Sequence, residues 1–590
     1  MKKTFNYLEI GKSKYNKFLK KSVDFVSEIQ LKDRVLWEKF VNAFGSEIDD
    51  TENGWRGEYW GKMMRGACLT YAYTADEELY EVLENAVFTL LEKQEVDGRI
   101  STYSRGNEFN GWDMWCRKYV MVGLEYFYRI CKEEGKKERI LSALKAHADY
   151  IIAHVGEDKI PITKTSHIYG CLNSCSILDA FLQLYLMTGE ERYKTFGKYV
   201  LDLGGTGEGN LVESLKKGLK PSEFPVTKAY EMMSFFEGIL TYYEITGEEQ
   251  YLKIVIDFFD LIERYELAIV GGMGYEHEFF SDTKQRQTEY SSGPMLETCV
   301  TVTWMRILSR LLCLTGNSKY ADHIEISAYN ALYGALNFDM LDQFCYEKKC
   351  IVSGLPFDSY SPLVSYYRGD RIGGYKELAD GTHYGCCACI GAAAVALFPL
   401  GAIMTDQDGI VVNYYMDGEA NVNLPSGENV VLETVTEYPV DSKILIKIKG
   451  ETSKNISLKL RIPAWSKNMT INGEACVAEN GYVALKVKVG QEILLNLPME
   501  IESVKLNGKT AFTRGPIVLA RDEQKENRKI DFETAETIVG FKTLPTQKDE
   551  YFRCEAETES GNKWLLSDYK SCGKQWTGNL NLISVWLNVK

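Results

Sequence analysis

Two short stretches decide how this chain folds: Thr188-Gly189-Glu190-Glu191-Arg192-Tyr193 and Thr246-Gly247-Glu248-Glu249-Gln250-Tyr251. Each follows a helix-like apolar run and reads as a turn. The glycine supplies a left-handed C-terminal cap, and the acidic residues after it suit the first turn of the next helix. Working outward, the signal recurs at Thr74-Ala75-Asp76-Glu77-Glu78-Leu79-Tyr80, Glu134-Gly135-Lys136-Lys137-Glu138 and Thr315-Gly316-Asn317-Ser318-Lys319-Tyr320. The intervals, roughly 55 to 70 residues, match one helical hairpin plus a connecting loop. Five turns and the helix after Cys389 make six hairpins, which predicts a mainly α domain, an (α/α)6 barrel, over residues 1–408. The competing arrangement is an open solenoid; no polar capping repeat marks one.

Near Thr405 the periodicity changes. Ile444-Leu445-Ile446-Lys447-Ile448, Leu458-Lys459-Leu460-Arg461-Ile462 and Val483-Ala484-Leu485-Lys486-Val487 alternate like strands, and Asn472-Gly473 and Asn480-Gly481 signal tight turns. We read residues 409–505 as an antiparallel β-sandwich and 506–590 as a second C-terminal β-rich domain, to which we assign no chemistry.

The 590 residues are 45% apolar and 26% charged, with a net charge of −15. That balance argues against nucleic acid or an anionic membrane as the main partner. Lys2 and Lys3 are not followed by an apolar segment, and the longest apolar run, Ala392 to Met404, is short and contains Pro399. The expectation is a soluble, cytoplasmic protein whose fifteen cysteines are reduced thiols or ligands. Oligomeric state is not legible, and a homodimer stays open.

The chemistry concentrates in His383-Tyr384-Gly385-Cys386-Cys387-Ala388-Cys389 and Glu297-Thr298-Cys299. Adjacent cysteines bond each other poorly but can both face a metal. Glu297, Cys299, Cys386 and Cys387 form a donor set that suits tetrahedral zinc. Each pair precedes a helix-like run, so two positive helix ends should face one spot and lower thiol pKa values. Cys389, Cys171 and Cys175 read as packing residues, and Cys345 and Cys350 lack a second pair. His383 could orient a substrate or a ligand. Aromatic and polar clusters at Trp55-Arg56-Gly57-Glu58-Tyr59-Trp60, Trp112-Asp113-Met114-Trp115 and His167-Ile168-Tyr169 read as inter-hairpin loops. They are what a sugar pocket uses, and Trp60 and Trp115 are candidate contacts.

These features together resemble the β-L-arabinofuranosidases of glycoside hydrolase families 127 and 146. The resemblance rests on the Glu-x-Cys at Glu297 and Cys299, the Cys386-Cys387 pair and the six-hairpin ring. Gly271-Gly272-Met273-Gly274, Thr436-Glu437-Tyr438-Pro439, Leu460-Arg461-Ile462-Pro463-Ala464-Trp465 and Thr513-Arg514-Gly515-Pro516 extend it in shared order. It implies zinc on Glu297, Cys299, Cys386 and Cys387, with Cys386 as nucleophile of a retaining glycosidase acting on a small carbohydrate. Its acid/base falls on Glu278, with Glu276 and Glu289 as alternatives. After the cysteine pair the family has Pro-Pro-Asn, where this chain has Ala388-Cys389-Ile390. The family's sugar-contacting histidines fall near Lys62, Tyr119 and Lys228; lysines there would suit an acidic sugar. Two other function classes are an (α/α)6 epimerase or lyase of acidic sugars, and a non-catalytic carbohydrate-binding protein braced by zinc.

Overall fold

The computed structural model describes residues 3–45, 50, 52–291, 295–345, 349–365, 373–531, 533–574, 580 and 582–590. Among them, six helices form an inner ring: Gly57–Thr74, Asp113–Ile130, Leu178–Thr188, Ala229–Thr246, Thr298–Thr315 and Cys386–Leu400. Each packs on its neighbours, and Cys386–Leu400 packs on Gly57–Thr74, which closes the circle. Of the inner helices, Thr298–Thr315 and Cys386–Leu400 are buried on nearly every side and read as largely apolar runs, where the outer Glu249–Tyr265 is striped. Gly66 makes closure possible: a Cβ there would stand 2.9 Å from the Ala392 Cβ.

The outer helices are Glu77–Leu91, Glu134–His154, Glu191–Asp202, Glu249–Tyr265 and Ser318–Ser327. Gly189, Gly247 and Gly316 cap the inner helices before three of them, with φ of 69°, 69° and 68°. Ala75 takes the same left-handed conformation, with φ 52°. The expected cap at Gly135 is not one. The preceding helix ends in extended backbone at Cys131, four residues early, so Gly135 falls in the first turn of the next helix. The sixth outer helix comes from the other end of the chain, where Lys17–Val26 covers Cys386–Leu400.

The sandwich pairs a five-stranded with a seven-stranded sheet, and the chain's first strands join both. Asn6–Tyr7 pairs with Ile403–Thr405, and Ser13–Tyr15 with Gly418–Asn423. The third sheet is built mainly from residues beyond 500. One of its strands, Ile583–Ser584, reaches back to pair with Val364–Ser365, placing Ile583 opposite Ser365. Val585 N–H also donates to the Leu363 carbonyl at 2.7 Å, and the Tyr569 hydroxyl to that of Pro362 at 2.8 Å. The C-terminal sheet thus holds the segment that carries Tyr360. None of the described helices is long and apolar enough to cross a membrane.

Candidate active site and metal centre

Two inner-helix N-termini meet at one end of the barrel. Glu297 is the N-cap of Thr298–Thr315, so Cys299 is its second helical residue; Cys386 and Cys387 open the other helix, after Gly385. The Cys299 Sγ lies 3.5 Å from that of Cys386 and 3.4 Å from that of Cys387, and the Cys386 and Cys387 sulfurs are 3.8 Å apart. Glu297 Oε1 is 3.4 Å from Cys387 Sγ and 3.8 Å from Cys386 Sγ. All four donor atoms lie within 4.8 Å of one another, and all four residues are buried. Sulfurs on a tetrahedral zinc at Zn–S of about 2.3 Å stand about 3.8 Å apart. The cluster matches that spacing closely. Glu297 Oε2 is buried with no hydrogen-bond partner among the described residues, which also suits a ligand carboxylate.

The scaffold around the cluster is fitted to it. Thr298 N–H and hydroxyl donate to the Ser359 and Asp358 carbonyls at 2.9 and 2.7 Å, fixing the start of its helix. Gly373 and Gly374 lie against the sulfurs. A Cβ on Gly374 would come within 2.4 Å of Cys386 Sγ, and its φ is +55°, so only glycine fits. The Gly374 carbonyl is held by Trp55 Nε1 at 2.8 Å and the Tyr59 hydroxyl at 2.6 Å.

Charge surrounds the sulfurs. Lys62 Nζ stands 3.8 Å from Cys299 Sγ and 3.2 Å from Glu58 Oε1, over the rings of Tyr230, Tyr119 and Trp115. Burial opposes its charge, but the Cys299 sulfur and Glu58 outweigh it and hold the ammonium well above the usual lysine value. Cys386 is held well below the usual thiol value by hydrogen bonds from Cys299 and Cys387, with Lys62 and Lys228 adding to them against burial. Burial and the Cys386 charge push Glu297 up to about 8, while Lys228 and Lys62 oppose. Burial likewise pushes Glu58 up to about 7, against Lys62 and with Cys386.

The three candidate acids separate by position. Glu276 and Glu289 sit at the surface with Arg286. Glu278 faces inward: it pairs with Lys228 and accepts from the Tyr360 hydroxyl at 3.2 Å. A Cβ on Gly373 would lie 3.2 Å from both that hydroxyl and Cys387 Sγ, so Tyr360 spans from Glu278 to the sulfurs.

The other candidates divide. Trp60 and Trp115 are on inner helices, not in loops, because those helices begin at Gly57 and Asp113. Trp60 is fully buried, its ring tight against Gly123, and serves helix packing. Trp115 Nε1 donates to Glu58, and the Tyr119 hydroxyl bonds that of Tyr230 beneath Lys62. His383 stacks on Tyr375 and faces Glu377 at 3.8 Å. Cys389, Cys171 and Cys175 are buried outside the four-donor cluster. Cys350 Sγ is 3.0 Å from the Tyr375 hydroxyl, and the Cys345 side chain lies outside the described residues. Sequence reading missed Glu58, Tyr230 and Tyr360. Glu58 had a signal, its i,i+4 spacing to Lys62.

Comparison with known proteins agrees with this geometry. A model of the β-L-arabinofuranosidase GH127 catalytic domain matches residues 12–361, and one of the GH127 middle domain matches 409–499. The cysteine pair falls between the two. A non-reducing end β-L-arabinofuranosidase of Bifidobacterium longum is 22% identical over 538 residues, 82% of this chain and 78% of that protein. Among solved structures, a GH127 β-arabinofuranosidase superposes with a TM-score of 0.76 at 19% identity, covering 100% of this chain and 98% of the other. A GH127 β-L-arabinofuranosidase from Geobacillus stearothermophilus T6 gives 0.72 at 19% identity, over 99% and 100%. At such identities the superpositions speak for the fold.

Proposed function

The chain belongs to the β-L-arabinofuranosidase family GH127, a family of glycoside hydrolases, and from that premise we propose a retaining hydrolysis in which Cys386 is the nucleophile and Glu278 the acid/base. Glu297, Cys299, Cys386 and Cys387 would hold zinc, which supplies the charge that keeps the sulfurs deprotonated at neutral pH. The Cys386 sulfur attacks the anomeric carbon and forms a C–S bond as the glycosidic C–O bond breaks. Glu278, held by Lys228 and Tyr360, gives its proton to the leaving oxygen. The same carboxylate then takes a proton from water, which displaces the sulfur and restores it, so configuration is retained. The supporting observation is the convergence of three sulfurs and Glu297, with Glu278 connected to them through Tyr360.

The sugar follows from how the lysines are used. An acidic sugar needs a cation to spare, yet Lys62 is matched by Glu58 and Lys228 by Glu278. The Lys62 charge is thereby met, and the Lys228 charge is met whenever Glu278 is ionised, as it is between its two proton transfers. We therefore favour a neutral furanoside at the end of a short oligosaccharide, and set aside the acidic-sugar epimerase or lyase.

The test is covalent trapping. A cysteine-directed arabinofuranoside inhibitor should add one sugar mass to the peptide containing Cys386, and Cys386→Ala should not be labelled. Metal analysis should find one zinc per chain. Labelling elsewhere, or activity on aryl β-L-arabinofuranosides that survives Cys386→Ala, would remove the proposal. A zinc-loaded protein that neither labels nor turns over would favour the carbohydrate-binding role.

A further inference from the structure

A cavity lies at the end of the barrel away from the sulfur cluster. Phe398 stands twelve residues beyond Cys386 on one helix, so the two ends are about 18 Å apart along its axis. There the barrel, the N-terminal helix, the sandwich and the C-terminal sheet enclose about 460 Å³, lined by Tyr329, Tyr333, Phe398, Tyr438 and Tyr551 among others. That volume is within the range of small-ligand sites, which favour domain junctions.

The lining is aromatic but not sealed. The Tyr329 ring sits edge-on to Tyr551 at 5.6 Å and to Phe398 at 5.4 Å. Tyr333 is buried, and its hydroxyl has no hydrogen-bond partner among the described residues. A buried hydroxyl without a partner costs free energy unless something binds it. Tyr329 lies in a π-helical turn, Ala328–Leu332, a distortion that functional sites often use.

The rim decides the ligand's charge. Lys17 pairs with Glu437 and Lys21 with Asp549, each at 2.5 Å, and Asp417 adds a further carboxylate. Both lysines are matched and the balance is negative, so anions are disfavoured. Ring faces for C–H surfaces and tyrosine hydroxyls for O–H groups suit a neutral saccharide. We propose that this cavity is a second, non-catalytic site for a neutral mono- or disaccharide, distinct from the sulfur cluster.

The experiment is calorimetric titration of the full-length, metal-loaded protein with L-arabinose, D-xylose and D-galactose as probes. At least one probe should bind with a component that Tyr333→Phe weakens about three- to tenfold, the worth of one hydrogen bond. Tyr551→Leu should abolish that component, and turnover should be unchanged in both variants. Tyr333→Phe keeps the ring, so it tests the hydroxyl without opening the core. Crystals soaked with the binding probe should show it against Tyr333. No binding by any probe, binding that neither substitution changes, or a soaked cavity holding only water would overturn the proposal.

Discussion

Two buried polar clusters in this molecule differ in composition and behave oppositely. At the seam between barrel and sandwich, Arg461 pairs with Asp322 and with Glu325 at 2.8 Å, and its Nε donates to the Asn413 carbonyl at 2.5 Å. The Tyr438 hydroxyl donates to Glu325 at 2.8 Å. Cations and anions there come from the chain itself. At the cysteine end, three sulfurs and a carboxylate turn toward one another. Repulsion would drive such donors apart once ionised; a bound cation makes their convergence favourable. A cluster that balances its own charge supports the fold, whereas one that gathers donors is built to hold something.

Substitution can break that contrast or sharpen it. The largest effect should come from Cys386→Ala, which should lower turnover of an aryl arabinofuranoside by about 10⁴-fold or more while circular dichroism stays native. Next, removing the metal with a chelator should abolish activity and lower the melting temperature, and added zinc should restore both. If chelation leaves both unchanged, the two clusters are of one kind. Arg461→Ala should do the reverse of Cys386→Ala. It leaves Glu325 buried and unpaired, costing about 3–5 kcal/mol of stability by denaturant unfolding, while kcat per folded molecule holds. Loss of kcat in the folded fraction would join the seam to the chemistry. The smallest effect belongs to Tyr360→Phe, which removes one hydrogen bond to Glu278. It should cost about tenfold in kcat/KM and move the alkaline limb of its pH profile upward, because Glu278 acts there as a protonated acid and loses a donor to its charged form.

Much of the barrel was legible because its cues are local. Gly189, Gly247 and Gly316 announce their caps by residue type alone, and Thr298–Thr315 and Cys386–Leu400 announce themselves by largely apolar runs. Gly135 misled because a glycine caps a helix only where the helix reaches it, and the preceding one had already ended at Ile130. The convergence of Glu297, Cys299, Cys386 and Cys387 was legible for a related reason, as each pair sits at a helix start marked by the apolar run behind it. Trp60 was misplaced because an aromatic cluster looks the same whether it ends a loop or begins an inner helix. Tyr360 left no trace, since nothing around it in sequence differs from an ordinary loop.

What the residues alone determined is therefore the set of parts: helical hairpins, a β-rich tail, two half-sites for a metal and the family. The tertiary structure alone decided how they are used. It paired Lys62 with Glu58 and Lys228 with Glu278, turned Glu278 inward while Glu276 and Glu289 stayed at the surface, and completed the outer layer with the chain's first helix. Propensity and capping act over a few residues and leave a mark in the sequence. Electrostatic pairing and burial depend on which distant groups meet, and that is settled only when the chain closes on itself.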